Sequence, residues 1–187
     1  MRSMPSRMHS LPSRQKGLGM IDLILWSVGI LAVIGFIVGL SVTFFNSIDQ
    51  TQAGINLSQL KTNVAQLYRQ QGNYTGVNVQ SIIDNGLAPD DLKAGTALVH
   101  EWNGSINISP TSLADTNDAV IFEYQSVPGE DVCSKFVASQ ADNFYRIDVG
   151  GTPIQNLPAG TAYNVGTLGS ACSGTGMKTI RFYASLR

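Results

Sequence analysis

The sequence predicts an α+β protein in which one long N-terminal helix, its first half membrane-spanning, packs on an antiparallel β-sheet head. Three observations predict this architecture. A basic leader gives way to a long run without charge; a helical period of apolar residues continues beyond that run; and the remainder reads as short strands broken by turn residues.

The leader and the run come first. Of the 187 residues, 43% are hydrophobic and 13% charged, about half the charge of an ordinary soluble domain. Twelve Lys and Arg oppose 13 Asp and Glu for a net charge of −1. That balance excludes charge-driven disorder and a globally basic nucleic-acid binder. The charges are unevenly placed: Arg2, Arg7, Arg14 and Lys16 stand before residue 22 with no acid among them, leaving a net −5 for the rest. Ile24 to Phe45 then gives 22 residues without a charge, enough for a helix to cross about 30 Å of hydrocarbon. The basic flank predicts a cytoplasmic N-terminus and export of everything after Phe45. A cleaved secretory signal would have an apolar core of about 7–15 residues and a small-x-small step after it. This run is longer and ends in Thr43-Phe44-Phe45, which offers no such step.

Asp22 lies at the start of the run, in Gln15-Lys16-Gly17-Leu18-Gly19-Met20-Ile21-Asp22. A carboxylate at such a place needs a reason: headgroup contact, a helix cap, or a specific partner. Lys16-Gly17, then Leu18, then an acid at the fifth position after the glycine, then an unbroken apolar helix, resembles the type IV prepilin signature. The resemblance implies cleavage between Gly17 and Leu18 by an inner-membrane prepilin peptidase and N-methylation of Leu18. Removing residues 1–17 from 187 leaves 170. The 17-residue leader, the non-Phe first residue and the mature length resemble the type IVb class, and within it the PilS-like pilins of thin conjugative and enterobacterial pili. Two departures stand out: the family's usual acid is Glu, one methylene longer than Asp22; and Gly19 before Met20 is a rival site. Cleavage there would leave Asp22 third rather than fifth, which favours Gly17.

The acid then has a physical role. In a bundle of such helices the Asp22 carboxylate of one subunit neutralises the terminal ammonium of a neighbour. Low dielectric makes that pair strong and a missing partner costly, so the pair rewards one axial register where apolar packing alone would tolerate several.

Past the membrane, Ile48, Ile55, Leu57, Leu60, Val64, Leu67 and Tyr68 recur mostly at three- and four-residue spacing, which predicts an amphipathic continuation to about Gln71, closed by Gly72. The expected organisation is therefore a leader at 1–17, an assembly helix at 18–72 and a globular head at 73–187. In the head the sequence predicts a short helix Val79–Asn85 ended by Gly86, and a hairpin of Ala97–His100 and Ser105–Ser109 around Trp102-Asn103-Gly104. A strand Ala119–Tyr124 follows, then a helix Val132–Ser139 capped by Asp131, and strands Phe144–Val149 and Thr179–Ser185. Glu101-Trp102-Asn103-Gly104 resembles the Trp-plus-glycine turn that opens the sheet of type IVb pilins. Residues 150–176, rich in Gly, Ser, Thr, Pro and Asn, read as loop.

Cys133 and Cys172 flank that stretch. In an exported domain two cysteines are expected to pair, closing a loop of about 40 residues worth roughly 3–4 kcal/mol. The pairing matches the disulfide-bounded region, here 133–172, that carries much of the exposed surface of type IV pilins.

Catalytic chemistry finds little support. His100 adjoins Glu101, but the second histidine, His9, lies in the leader; a single histidine with scattered acids makes neither a metal site nor a nucleophile–base pair. His100 reads as a strand residue, and Asp90-Asp91, Asp115 and Asp118 as solvated turn residues. No cofactor, metal or catalytic residue is expected, and no nucleic-acid partner. The resemblance implies a structural pilin that polymerises with itself, from an N-in inner-membrane prepilin to an extracellular filament. It also implies a prepilin peptidase, an assembly ATPase and platform, an outer-membrane secretin and a receptor on a host or recipient cell. Within the class, a minor pilin or a type II secretion pseudopilin is the alternative; outside it, a membrane-anchored periplasmic binding or adhesion domain.

Overall fold

The computed structural model describes residues 49–186. The leader, the uncharged run and the predicted site residues Gly17, Leu18 and Asp22 lie outside the described residues. Among those described, no helix is long and apolar enough to cross a membrane.

The first helix, α1 (49–68), buries Ala53, Asn56, Leu57, Leu60, Val64 and Tyr68, a stripe at three- and four-residue spacing. The expected single apolar face is narrower than the sequence suggests. Ile55 is 54% exposed, because two residues on a helix differ by about 200° and Ile55 cannot share the face of Leu57. Leu67, in the last turn, is 45% exposed. The helix ends at Tyr68; a turn over 69–72 follows, closed by Gly72 in the left-handed region at φ +76°.

Helix α2 (Val79–Asp84) starts at a reciprocal cap. Asn78 Oδ1 accepts from the Ser81 N–H at 2.9 Å, and the Asn78 N–H donates to Ser81 Oγ at 3.0 Å, so two otherwise orphaned donors are satisfied. Seven strands make one sheet: β1 (Lys93–Ala94), β2 (Ala97–Val99), β3 (Ser105–Thr111), β4 (Ala119–Val127), β5 (Arg146–Val149), β6 (Thr152–Asn156) and β7 (Lys178–Ser185). Their spatial order is β1-β2-β3-β4-β7-β5-β6, and every pairing is antiparallel. The last strand therefore enters the middle of the sheet, between β4 and β5. Its register on β4 shifts between Tyr124 and Val127, where Ser126 takes a positive φ of 60° as bulge residues do.

A strand, a 3-10 turn at Leu157–Ala159 and a helix occupy the stretch read as loop from the sequence. Strand β6 holds Pro153, which lacks a ladder N–H; the strand tolerates it because β6 is an edge. Helix α4 (Val165–Cys172) contains Gly166 and Gly169, residues of poor helix propensity. It forms because Asn164 caps the Thr167 N–H at 2.9 Å and because Leu168 and Cys172 are buried. Helix α3 (Asp131–Gln140) also departs from expectation. Its N-cap is Glu130, at φ +55°, and makes no side-chain cap bond; Asp131 stands in the first turn, where its charge complements the helix dipole.

The core is aromatic at its centre. Phe182 lies 6.0 Å from Tyr124, 5.3 Å from Phe136 and 5.1 Å from Phe144, ring to ring. The buried stripe of α1 joins the same cluster. Asp118 is a correction: it is buried, and its carboxylate accepts from the N–H groups of Leu113, Ala114 and Asp115 at 2.7–3.1 Å. It orders the β3–β4 loop from inside.

Candidate functional site

Three features of the head bear on function: the disulfide-bounded region, the joint between α1 and α3, and the turn between β2 and β3.

Cys133 on α3 and Cys172 at the end of α4 are bonded, with Cα atoms 5.6 Å apart across a sequence separation of 39. Both are fully buried. A backbone bond reinforces the closure, the Glu130 N–H donating to the Cys172 carbonyl at 2.6 Å. Gly129 makes this approach possible, since a Cβ there would overlap the carbonyls of Gly174 and Gly176. Val165, at the start of α4 inside the closed segment, and Met177, just beyond Cys172, are 70% and 67% exposed.

Helix α3 meets α1 through a polar joint. Ser58 Oγ donates to Gln140 Oε1 at 3.2 Å, and Gln140 Nε2 reaches the Gly54 carbonyl at 3.5 Å. Gly54 is small by necessity here, a Cβ lying 2.8 Å from Gln140 Nε2. Beside the joint runs a groove of about 540 Å³, lined by Ile55 and Ser58 of α1 and by Lys135, Ser139 and Gln140 of α3. The outward Ile55 thus borders a concave surface on the exposed side of α1.

The β2–β3 turn packs inward. His100 falls in the turn rather than in the strand and is buried. Its ring stacks on Tyr124 at 5.3 Å and meets the edge of Trp102 at 5.3 Å. The Asn103 N–H donates to the His100 carbonyl at 2.8 Å, and the His100 N–H donates to the Gly104 carbonyl at 2.9 Å. Asn103 supplies the left-handed residue at φ +61°, the role Asn fills in such loops. From α1, Asn56 Nδ2 donates to Glu101 Oε1 at 2.6 Å, and Gln52 Nε2 links Asn56 at 3.3 Å with Asp91 at 3.1 Å. Burial raises the Glu101 carboxyl, against the lowering effect of its own amide and Asn56, with Asp49 and Asp91 adding to the rise. Burial lowers His100, partly offset by its bond to Gln125.

This arrangement fastens elements together. Both imidazole nitrogens of His100 are engaged inside the core, so the ring has no free edge for proton transfer to a substrate. Among the described residues no three His, Cys, Asp or Glu side chains gather as metal ligands. Sequence reasoning found the two cysteines and the turn; it missed Asn56, Gln140 and α4, although Asn164 three residues before Thr167 is a legible cap.

The family model described as PilS N terminal matches residues 47–185, most of the chain and every strand of the sheet. The chain belongs to the PilS family. It is a type IV pilin of the PilS type. Among solved structures it is similar to that of TcpA, a type IV pilin from Vibrio cholerae El Tor biotype, at 22% identity and a TM-score of 0.57, over 73% of this chain and 99% of that one. At that identity the likeness is one of fold. No curated protein sequence matches the chain.

Proposed function

We propose that this pilin is the subunit of a type IVb pilus and polymerises through an N-terminal assembly segment, residues 18–72, whose helix ends at Tyr68. The observation that carries the reading is α1. Its buried stripe fixes the helix to the head, while Ile55 and the groove beside it leave apolar surface on the other side. The uncharged run 24–45 lies shortly before residues 49–68 in the sequence. A helix fastened to its own head on one side, and preceded by a run that only lipid or other apolar helices can accept, suits lateral packing in a filament core.

In this reading the prepilin peptidase removes residues 1–17 between Gly17 and Leu18 and Leu18 is N-methylated. Asp22 pairs with the terminal ammonium of a neighbour, and the head from 73 to 187 faces the medium. The prepilin resides in the inner membrane with its N-terminus inside, and the product is an extracellular filament. An assembly ATPase and platform and an outer-membrane secretin would move the subunits; a receptor on a host or recipient cell would be met by the 133–172 surface. The role is structural rather than enzymatic, and adhesion, aggregation and mating contact all fit it.

The test is to shear filaments from the cell surface and sequence their main component. A mature chain starting at N-methyl-Leu18 is expected. A retained leader, or filaments that lack this chain, overturns the reading.

A further inference from the structure

Four side-chain polar atoms among the described residues are buried without a hydrogen-bond partner: Glu101 Oε2, Trp102 Nε1, Tyr124 Oη and Tyr145 Oη. Three of the four belong to one place, where the β2–β3 turn meets α1 and α3. Glu101 and Trp102 are consecutive in that turn. Trp102 and Tyr124 pack against the same two rings: His100, 5.3 Å from each, and Phe136, 5.3 Å from Trp102 and 5.2 Å from Tyr124. The charge of Glu101 acts on the Tyr124 phenol, adding to the rise that burial imposes on it.

A buried polar atom without a partner bears its desolvation cost with no bond in return, and three at one place are far from the rule that buried polar groups are paired. Their chemistry is complementary to a single small molecule. The indole N–H only donates, the second carboxylate oxygen of an ionised Glu only accepts, and the phenol does either. Buried waters in proteins make about three such bonds to otherwise unsatisfied groups.

We propose that the head binds one internal water at this place, held by Trp102 Nε1–H, Tyr124 Oη and Glu101 Oε2. The water accepts from the indole and the phenol and donates to the carboxylate. Glu101 already accepts from Asn56 through its other oxygen, and Asn56 connects through Gln52 to Asp91 at the surface. The water completes a polar chain from Asp91 on the outside, through α1, to Tyr124 in the aromatic core. It joins the turn to Tyr124 of β4 without requiring the turn to carry a longer side chain. The inference stands on the head alone and is independent of how the pilin assembles.

The test uses the full chain in detergent micelles with 15N-labelled tryptophan. Trp26→Phe removes the only other indole signal. A rotating-frame cross-peak of dipolar sign between the Trp102 indole proton and water is expected, and Tyr124→Phe should weaken it. Stability gives a second readout of opposite sign for the two cases. If water bridges the phenol, Tyr124→Phe removes a made hydrogen bond and lowers the unfolding midpoint by about 2–4 °C. If the phenol is a true orphan, the same change removes a penalty and leaves the midpoint level or higher. Absence of the cross-peak, or a midpoint that does not fall, overturns the proposal.

Discussion

His100 Nε2 lies 2.6 Å from the carbonyl oxygen of Gln125. A carbonyl only accepts, so the proton sits on Nε2; Nδ1 is then free to accept the Trp102 N–H, 3.3 Å away. The neutral imidazole thus satisfies one donor and one acceptor between the β2–β3 turn and β4. Protonation would place a second N–H against the Trp102 N–H.

This relationship predicts a pH dependence. Burial lowers His100 from its ordinary value of 6.5, so the unfolded chain binds the proton more readily and stability falls as pH drops below about 6.5. Glu101 acts in the opposite direction. Its carboxyl is raised from 4.5, so the native state takes up the proton first and gains stability as pH falls towards 4.5. His100→Gln should flatten the loss below pH 6.5, whereas Glu101→Gln should steepen it by removing the opposing gain. Urea midpoints between pH 5 and 8 measure both; an unchanged slope in His100→Gln would refute the assignment.

Gly104 is the second prediction. A Cβ at this position would overlap the Gln125 carbonyl and the His100 ring. Backbone cannot move aside as a flexible side chain can, so Gly104→Ala should cost about 1–3 kcal/mol in the manner of an overpacked core. Gly151→Ala is the contrast: nothing lies within 4 Å of its Cβ position, and its cost is confined to the strain of φ +84°. Chemical unfolding of the two variants compares them directly. Equal costs would show that the turn relaxes around residue 104.

Loss of the disulfide is the third. Cys133→Ser or Cys172→Ser frees a segment spanning 39 positions and should destabilise the head by roughly 3–4 kcal/mol. The effect should centre on α4, whose two glycines give it little helix propensity of its own. Hydrogen exchange should therefore show α4 amides opening before those of β4 and β7. Uniform loss of protection across the sheet would contradict this order.

The fourth separates a filament subunit from a simple anchor. Under the proposed pairing, Asp22→Ala leaves a neighbour's ammonium buried and unpaired, a loss of about 3–5 kcal/mol. Insertion should not suffer, because the variant helix is more apolar. The expected phenotype is normal membrane-resident pilin without filaments, with Asp22→Glu retaining assembly. Sheared-filament yield and electron microscopy, with total pilin measured alongside, decide it. Abundant filaments from Asp22→Ala would sink the pairing mechanism.

Several features are written in contiguous sequence. The charge step before Asp22, the uncharged run Ile24–Phe45 and the resemblance around Gly17 to the prepilin signature are of this kind. The β2–β3 hairpin and α2 were legible for the same reason: Asn103-Gly104 and Asn78 with Ser81 carry their turn and cap in side chains close in sequence. Tertiary structure decided the rest. Nothing local distinguishes Ile55 from Leu57; only the head pressing on one side of α1 buries one and exposes the other. Strand β6 with its Pro153 and helix α4 with its glycines oppose their own local preferences, and an edge position and a disulfide from α3 make them stable. Asp118 reads as a solvated acid because its three amide donors converge only when the loop closes over it. Asn56, the residue that ties the turn to the helix, has its partner Glu101 on another element, and a contact between elements is set by the packing of the core rather than by the sequence on either side.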